Sequence, residues 1–585
     1  MKKLFKYFNT AKKELIVLPI FIIIEVIFEI LIPVFMSKLI DLGVNPKDAA
    51  GVALDPNRQQ IFLWGGLMIV SAIIALIFGV IVTRIAARIS TEFGHNLRQA
   101  QFEKIQDFSF ENIDKFKTSS LVTRMSLDVS NIQQSLNMML RVALRSPALL
   151  LFSIIAISIF AGKLALLFLI VIPILVIGFY FVITRAHKYF LKMFERLDNL
   201  NLTIQEDLIG VRTVKSFVRE DYEIKRFEKA TTDVRDVAIK AEKIIIFNRP
   251  LMQFSIGLSF ILIGWFGAKM IVVGDLTEGQ FANTITYINQ VLFSLLMISQ
   301  VFLMFAMSKA SIGRISEVLD EVPYLKEKDH PDHNVLDGSF KFDNVSFKYG
   351  DLDGKYVLEN INLNVPSGSV VGIFGSTGTG KSTLVQLLSR LYDVDKGTIY
   401  VGGKDVKDYS FEALRKEVIL VLQKNVLFSG TVRENIQWGK QDATDEEIIA
   451  VLKKAQAYDF VMKMEKGLDT WIEQGGVNVS GGQRQRLTIA RALIADPKIL
   501  ILDDSTSAVD TKTDSKIREA LKNESPEMTK VVISQRLSSI EDSDIIIIMD
   551  ENGINATGAH DDLYKNNEMY KMIYDAQSQA KEVEQ

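Results

Sequence analysis

The sequence has no cysteine among its 585 residues, which excludes disulfides, thiolate metal sites and cysteine nucleophiles. It has little net charge. Its 67 lysines and arginines against 70 aspartates and glutamates leave −3, no electrostatic footprint for nucleic acid, so nucleic acid is not an expected partner. It also lacks a small-residue cleavage site behind a short apolar core. The first apolar run instead extends from Leu15 to about Met36, long enough to span a bilayer rather than to serve as a cleavable signal. What is present is an unusual mixture, 48% hydrophobic yet 23% charged, as from an apolar half joined to an ordinary soluble half; the chain divides that way near residue 310. At 585 residues, two or more domains are expected.

Apolar runs at about 15–36, 61–83, 146–161, 164–184, 250–273 and 281–307 read as six membrane spans. Ahead of them, Met1 to Lys13 carries five lysines with Leu4, Phe5, Tyr7 and Phe8 between them, the pattern of a short amphipathic helix on a lipid surface. The loops after spans one, three and five are poor in basic residues, with Lys47 and Arg58 in the first, Lys163 in the second and none in the third. They face outward by the positive-inside rule, which places both termini in the cytoplasm. The stretches between, 84–145 and 185–249, are dense in Lys and Arg and free of proline. They read as span helices that run on into the cytoplasm and return, broken near Asn112 to Ser120 and near Phe217 to Phe227. Within span one, Glu25 and Glu29 lie i,i+4 on one helix face. Ionisable groups there either line a transport cavity, where they favour cationic substrates, or serve as structural carboxylates. Asn283, Asn289 and Gln290 in span six are polar groups of the kind that knits helices together. The membrane domain is thus 1–315, followed by a polar, proline-containing linker over 316–338.

Residues 339–578, ahead of a polar tail at 579–585, read as a soluble α/β domain. At its centre, Gly375-Ser376-Thr377-Gly378-Thr379-Gly380-Lys381-Ser382-Thr383 directly follows the apolar run Val370 to Phe374. The spacing GxxxxGK[ST] is that of a phosphate loop: a strand ends, glycines let successive N–H groups turn inward, and a helix begins at Lys381 with its positive end toward the same hollow. Lys381 would reach the β- and γ-phosphates and Ser382 would ligate magnesium. Farther on, Ile499 to Leu502 is a run of four apolar residues ending in Asp503, as in a buried parallel strand that delivers a carboxylate to the metal. ATP and Mg2+ are the expected cofactors.

Between these motifs, about one hundred residues after the phosphate loop, stands Ser480-Gly481-Gly482-Gln483. This tetrapeptide resembles the signature of ABC transporter ATPases, and the whole chain is similar to an ABC exporter half-transporter. The resemblance implies an all-α six-helix transmembrane domain with long cytoplasmic extensions, followed by an α/β P-loop ATPase domain, in a bacterial cytoplasmic membrane. It implies that two ATPase domains close head to tail, each ATP lying between one chain's phosphate loop and the other's signature, and that the two helix tips couple closure to the membrane. By position, Tyr349 would stack on adenine, although a strand aromatic in the core is the alternative. Gln423 would sense the γ-phosphate and metal, Asp503 would hold Mg2+, and Ser480, Gly481, Gly482 and Gln483 would serve the partner's ATP. Asp510, in Ser507-Ala508-Val509-Asp510, would join the two sites. Two departures stand out: Asp504 replaces the usual Glu beside Asp503, and Gln535 replaces the switch histidine. Together they imply a site that binds ATP and hydrolyses it poorly. The expected unit is a heterodimer with a second, homologous half-transporter, exporting amphipathic or cationic small molecules; the alternatives are a homodimeric exporter-fold transporter of lipid, peptide or siderophore with slow ATPase, and an ATP-binding regulatory membrane protein.

Overall fold

The computed structural model describes residues 6–8, 12–47, 54–350, 355–504, 509–551 and 553–583. Most of the expected amphipathic segment at Met1 to Lys13, together with Ser507 and Ala508, lies outside them. The helical elements begin with α1 (Lys12–Leu39), α2 (Arg58–Gln106), α3 (Phe110–Phe116), α4 (Thr118–Thr123) and α5 (Val129–Phe160). They continue with α6 (Phe168–Ser216), α7 (Glu220–Ile245), α8 (Asn248–Val273) and α9 (Glu278–Asp320). Two compact units emerge, Met1–Gln106 with Thr118–Glu321, and Asp107–Lys117 with Val322–Gln585.

In the first unit, six helical stretches among the described residues are long and apolar enough to cross a membrane. α2 and α6 are 49 residues each, about 74 Å at the helical rise and more than twice a hydrocarbon core, so both extend well beyond it. The first break falls earlier than the expected Asn112 to Ser120, at residues 107–109 between α2 and α3 with a second interruption at Lys117, because Asn112 itself lies inside α3; the second falls at residues 217–219, at the start of the expected stretch. Packing follows the helical period. Leu18, Ile22 and Val26, four apart on α1, are buried with Val82 and Ile89 of α2 and Leu149 of α5, while Ile16, Ile20, Ile23 and Ile27 of α1 are exposed, as lipid-facing side chains are. Spans one and six are tied by Asp41, whose carboxylate accepts from the Gly279 N–H at 2.8 Å and the Thr277 hydroxyl at 2.6 Å. On the helical extensions, buried Asp128 accepts from Ser311 at 2.8 Å and pairs with Arg314. Gln290 accepts from Ser153 at 3.1 Å and so joins α9 to α5, and Asn283 is buried on the same helix.

The second unit contains an antiparallel sheet of β1 (Phe340–Phe347), β2 (Leu358–Val365), β4 (Lys396–Val401) and β5 (Lys404–Asp405) in the order β2-β1-β4-β5. A six-stranded sheet is built from β3 (Val370–Gly375), β6 (Val418–Val421), β9 (Ile499–Asp503), β10 (Thr529–Ile533), β11 (Ile545–Asp550) and β12 (Gly553–Gly558), in the order β12-β11-β3-β10-β9-β6. The short strands β7 (Gly430–Thr431) and β8 (Trp471–Ile472) pair with each other. The helices of this unit are α10 (Lys381–Leu388), α11 (Phe411–Glu417), α12 (Val432–Gln437), α13 (Asp445–Lys454), α14 (Tyr458–Met462), α15 (Gly481–Leu493), α16 (Thr511–Glu524), α17 (His560–Asn566) and α18 (Glu568–Val583). Strand periodicity separates two cores: Ile499 and Ile501 face the antiparallel sheet, while Leu500 and Leu502 face α13, α15 and α16. Both faces of β9 are therefore buried, which explains its unbroken apolar run.

Candidate nucleotide-binding site

Four neighbouring strands of the parallel sheet end at one edge. Ile533 of β10 is level with Ile373 of β3 on one side and Asp503 of β9 on the other, and Val421 of β6 is level with Leu502. The segments that follow these ends are the phosphate loop, the turn bearing Gln535, the Asp503-Asp504 pair and Gln423. Parallel register thus gathers residues spread over more than 150 positions of sequence into one crest, where ligands of open α/β sheets bind.

The loop's glycines are needed at two points. Gly380 stands before α10 at φ +85°, and a Cβ on Gly375 would lie 2.3 Å from the carbonyl oxygen of Met549. Ser376, Thr377 and Gly378 are exposed, leaving the loop open to a ligand. Lys381 is largely buried, and its Nζ donates to the carbonyls of Gly375 and Ser376 at 2.8 and 2.5 Å. Burial pushes its pKa down, while Asp503 and Asp504 oppose that shift. Burial likewise pushes the Asp503 carboxyl above its ordinary range, against a hydrogen bond from Ser382. A hydroxyl touching a buried carboxylate at the mouth of a phosphate loop is a hard-oxygen donor set that fits Mg2+. Gln423 donates from Nε2 to Asp504 Oδ2 at 3.4 Å, so the supposed sensor and the supposed base are neighbours.

Tyr349 packs edge-on against Phe347 and Tyr392, with ring centroids 4.9 and 5.1 Å away. Its hydroxyl lies 3.0 Å from both Thr383 Oγ1 and Gln386 Oε1. It is half-buried and tied to the helix that follows the phosphate loop. Ser480 caps α15 reciprocally with Gln483: the Gln483 N–H donates to Ser480 Oγ at 3.3 Å and the Ser480 N–H donates to Gln483 Oε1 at 2.9 Å. Ser480 and Gly481 are exposed at the start of a 13-residue helix, and Gly482 and Gln483 are half-buried behind them. Asp510 caps α16 by accepting from the Thr513 N–H at 2.9 Å.

This arrangement, a phosphate loop and a signature helix in an ATPase unit that follows six membrane helices, is matched by comparison with known proteins. The ABC transporter transmembrane region family matches residues 15–295, and the ABC transporter family matches residues 358–507. The chain is 34% identical over 558 residues, covering 95% of both sequences, to the uncharacterized ABC transporter ATP-binding protein YfiB of Bacillus subtilis. This chain belongs to the ABC transporter family. Another relative, 33% identical with 86% of each chain covered, is the ATP-dependent lipid A-core flippase of Desulfotalea psychrophila. The solved structure of a bacterial Atm1-family ABC exporter with ATP bound superimposes with a TM-score of 0.84 over 97% of this chain and 99% of that one, at 24% identity. This ABC transporter therefore has the exporter fold in half-transporter form, a multi-pass membrane protein with a nucleotide-binding ATPase domain.

Some contacts were not foreseen from sequence. Glu25 and Glu29 share one counter-ion, Arg145, at 3.1 and 2.7 Å. The available signal was an arginine one residue before span three. The hollow beside them, about 530 Å³, is lined by Glu25 with Arg84, Arg141 and Arg145. The first helix tip groups with the ATPase unit through Asn112, which donates to the Val322 carbonyl at 3.1 Å and accepts from the Tyr324 N–H at 3.3 Å.

Proposed function

We propose that this ABC half-transporter is the degenerate-site subunit of a heterodimeric exporter of amphipathic small molecules, resident in a bacterial cytoplasmic membrane with both termini inside. The observation that carries this reading is the replacement of both hydrolytic groups around one γ-phosphate position, Asp504 after β9 and Gln535 after β10, while the binding set remains complete. A carboxylate one methylene shorter stands roughly 1 Å farther from its water, which can cost on the order of a hundredfold in rate. Gln535 can donate a hydrogen bond but cannot carry an imidazolium's charge. Lys381 and the loop amides would hold ATP, Tyr349 would support the adenine side, and Ser382, Gln423 and Asp503 would hold Mg2+, which neutralises phosphate charge when bound. The exposed signature Ser480 to Gln483 would serve the partner's phosphate loop. The second helix tip, with Phe217 and Val218 73% and 81% exposed, has the apolar character of a contact completed by another chain.

A hollow of about 560 Å³ lined by Phe179, Tyr180, Ile183, Leu295 and Phe302 supports amphipathic substrates of the multidrug type. Glu25 and Glu29 favour cations only to the extent that Arg145 leaves their charge uncompensated. The arginine-lined hollow and the relative named a lipid A-core flippase favour a second reading, a lipid-like anionic amphiphile. Transport of matched cationic, neutral and anionic dyes into inverted vesicles separates the two. Glu25→Gln with Glu29→Gln should impair cations most under the first reading and spare anions under the second. Purified alone, the chain should hydrolyse ATP poorly. Robust turnover abolished by Asp504→Ala would overturn the degenerate-site assignment.

A further inference from the structure

The turn bearing Gln535 is gripped by the last helix of the chain. Gln577 on α18 spans it with one side-chain amide: its Oε1 accepts from the Leu537 N–H at 2.9 Å, and its Nε2 donates to the Gln535 carbonyl at 3.1 Å. The two ends of the turn differ in character. Leu537 is fully buried in the helical core with Tyr570, whereas Gln535 is exposed at the crest. Ahead of it, Ser534 is pinned by its own hydrogen bond from the Arg536 N–H at 3.0 Å and by its N–H on Ile373 of β3 at 3.2 Å. α18 is itself moored nearby, since the Tyr574 hydroxyl donates to Glu541 at 3.1 Å and the Tyr570 hydroxyl lies 2.6 Å from His560 Nδ1.

We infer that Gln577 is a positioning residue of the ATP site: it fixes the Gln535 peptide so that the Gln535 side chain is presented to the γ-phosphate with little freedom left to lose on binding. Without it the turn stays anchored at β10 and Leu537, but the peptide between them can rotate. An ordered donor holds a ligand longer than a mobile one of the same chemistry. The inference rests on the proposed placement of Gln535 at the γ-phosphate.

The test uses the full chain, in membranes with whatever partner it requires, loaded with labelled ATP and chased with unlabelled ATP; the readout is the release rate of nucleotide from this chain's site. Gln577→Ala should speed release about fivefold, the size of one hydrogen bond. Gln577→Glu should behave like the alanine variant, because a carboxylate can still accept from Leu537 but cannot donate to the Gln535 carbonyl. In a Gln535→Ala background, Gln577→Ala should add nothing, since one residue acts through the other. Tyr574→Phe, which loosens α18 without touching the turn, should leave release unchanged. Wild-type release from Gln577→Glu, additive effects of the two substitutions, or a Tyr574→Phe effect equal to that of Gln577→Ala would overturn the inference. If Gln535→Ala alone changes nothing, the placement of Gln535 fails instead, and that result is distinct from the others.

Discussion

Asp504 has a backbone φ of +45°, a left-handed conformation that Asp tolerates better than longer side chains. Its N–H is held by the Ile533 carbonyl at 3.1 Å and its carboxylate accepts from Gln423, so both backbone and side chain are constrained. Asp504→Glu lengthens the carboxylate toward the water position while adding about 1 kcal/mol of backbone strain. ATP turnover at this site should rise at least tenfold, with a small fall in thermal stability, as measured by single-site hydrolysis and calorimetry. Asp503 works in the opposite sense. Burial raises its pKa, so the folded state binds the proton more tightly than the unfolded chain does. The stability of the nucleotide-free domain therefore falls as pH rises from about 4 through the raised value. Asp503→Asn should raise the nucleotide-free melting temperature and remove that pH slope, while Mg2+-dependent ATP binding is lost. An unchanged slope would show that the buried charge is compensated elsewhere.

Among the elements, α3 has only seven residues, yet it belongs to the ATPase unit. Asn112, fully buried, accepts from the Ser109 N–H at 3.1 Å and the Ser109 hydroxyl at 2.5 Å, in addition to its bonds at residues 322 and 324. Tyr392 adds a hydrogen bond to Asp114 at 2.7 Å. Asn112→Ala leaves several buried groups unpaired, at about 1 to 3 kcal/mol. It should uncouple the protein, so that basal ATPase persists while substrate no longer stimulates it; retained stimulation would remove α3 from the coupling route. A break near Asn112 to Ser120 was legible in the sequence. Which unit claims it was not, since that depends on partners more than two hundred residues away. The phosphate loop and β9 were legible for the converse reason, because local spacing and an apolar run define them. Gln577 and Arg145 were not, because a lone glutamine on a polar helix and an arginine at a span's edge acquire meaning only from what packs opposite.

For the molecule as a whole, the proposed asymmetric assembly rests on the intact signature beside an altered hydrolytic pair. ATPase should appear only on adding a second half-transporter, survive Asp504→Ala in this chain, and be lost on changing Ser480 or Gly482; activity of this chain alone would contradict it. The phosphate loop and the Asp503-Asp504 pair were readable in sequence as motifs, whereas the alignment of four strand ends that brings them into one site required the parallel register. The inclusion of Asp107–Lys117 in the ATPase unit bears on how the protein is made. That segment leaves the ribosome some two hundred residues before Val322 and is already tethered between two inserted spans when the rest of the ATPase unit is made, so the unit is expected to complete its packing against a piece held at the membrane. A fragment starting at Val322 should accordingly be less stable than the same fragment supplied with a peptide of residues 107–117, a dependence that would make membrane insertion a checkpoint on nucleotide-domain maturation.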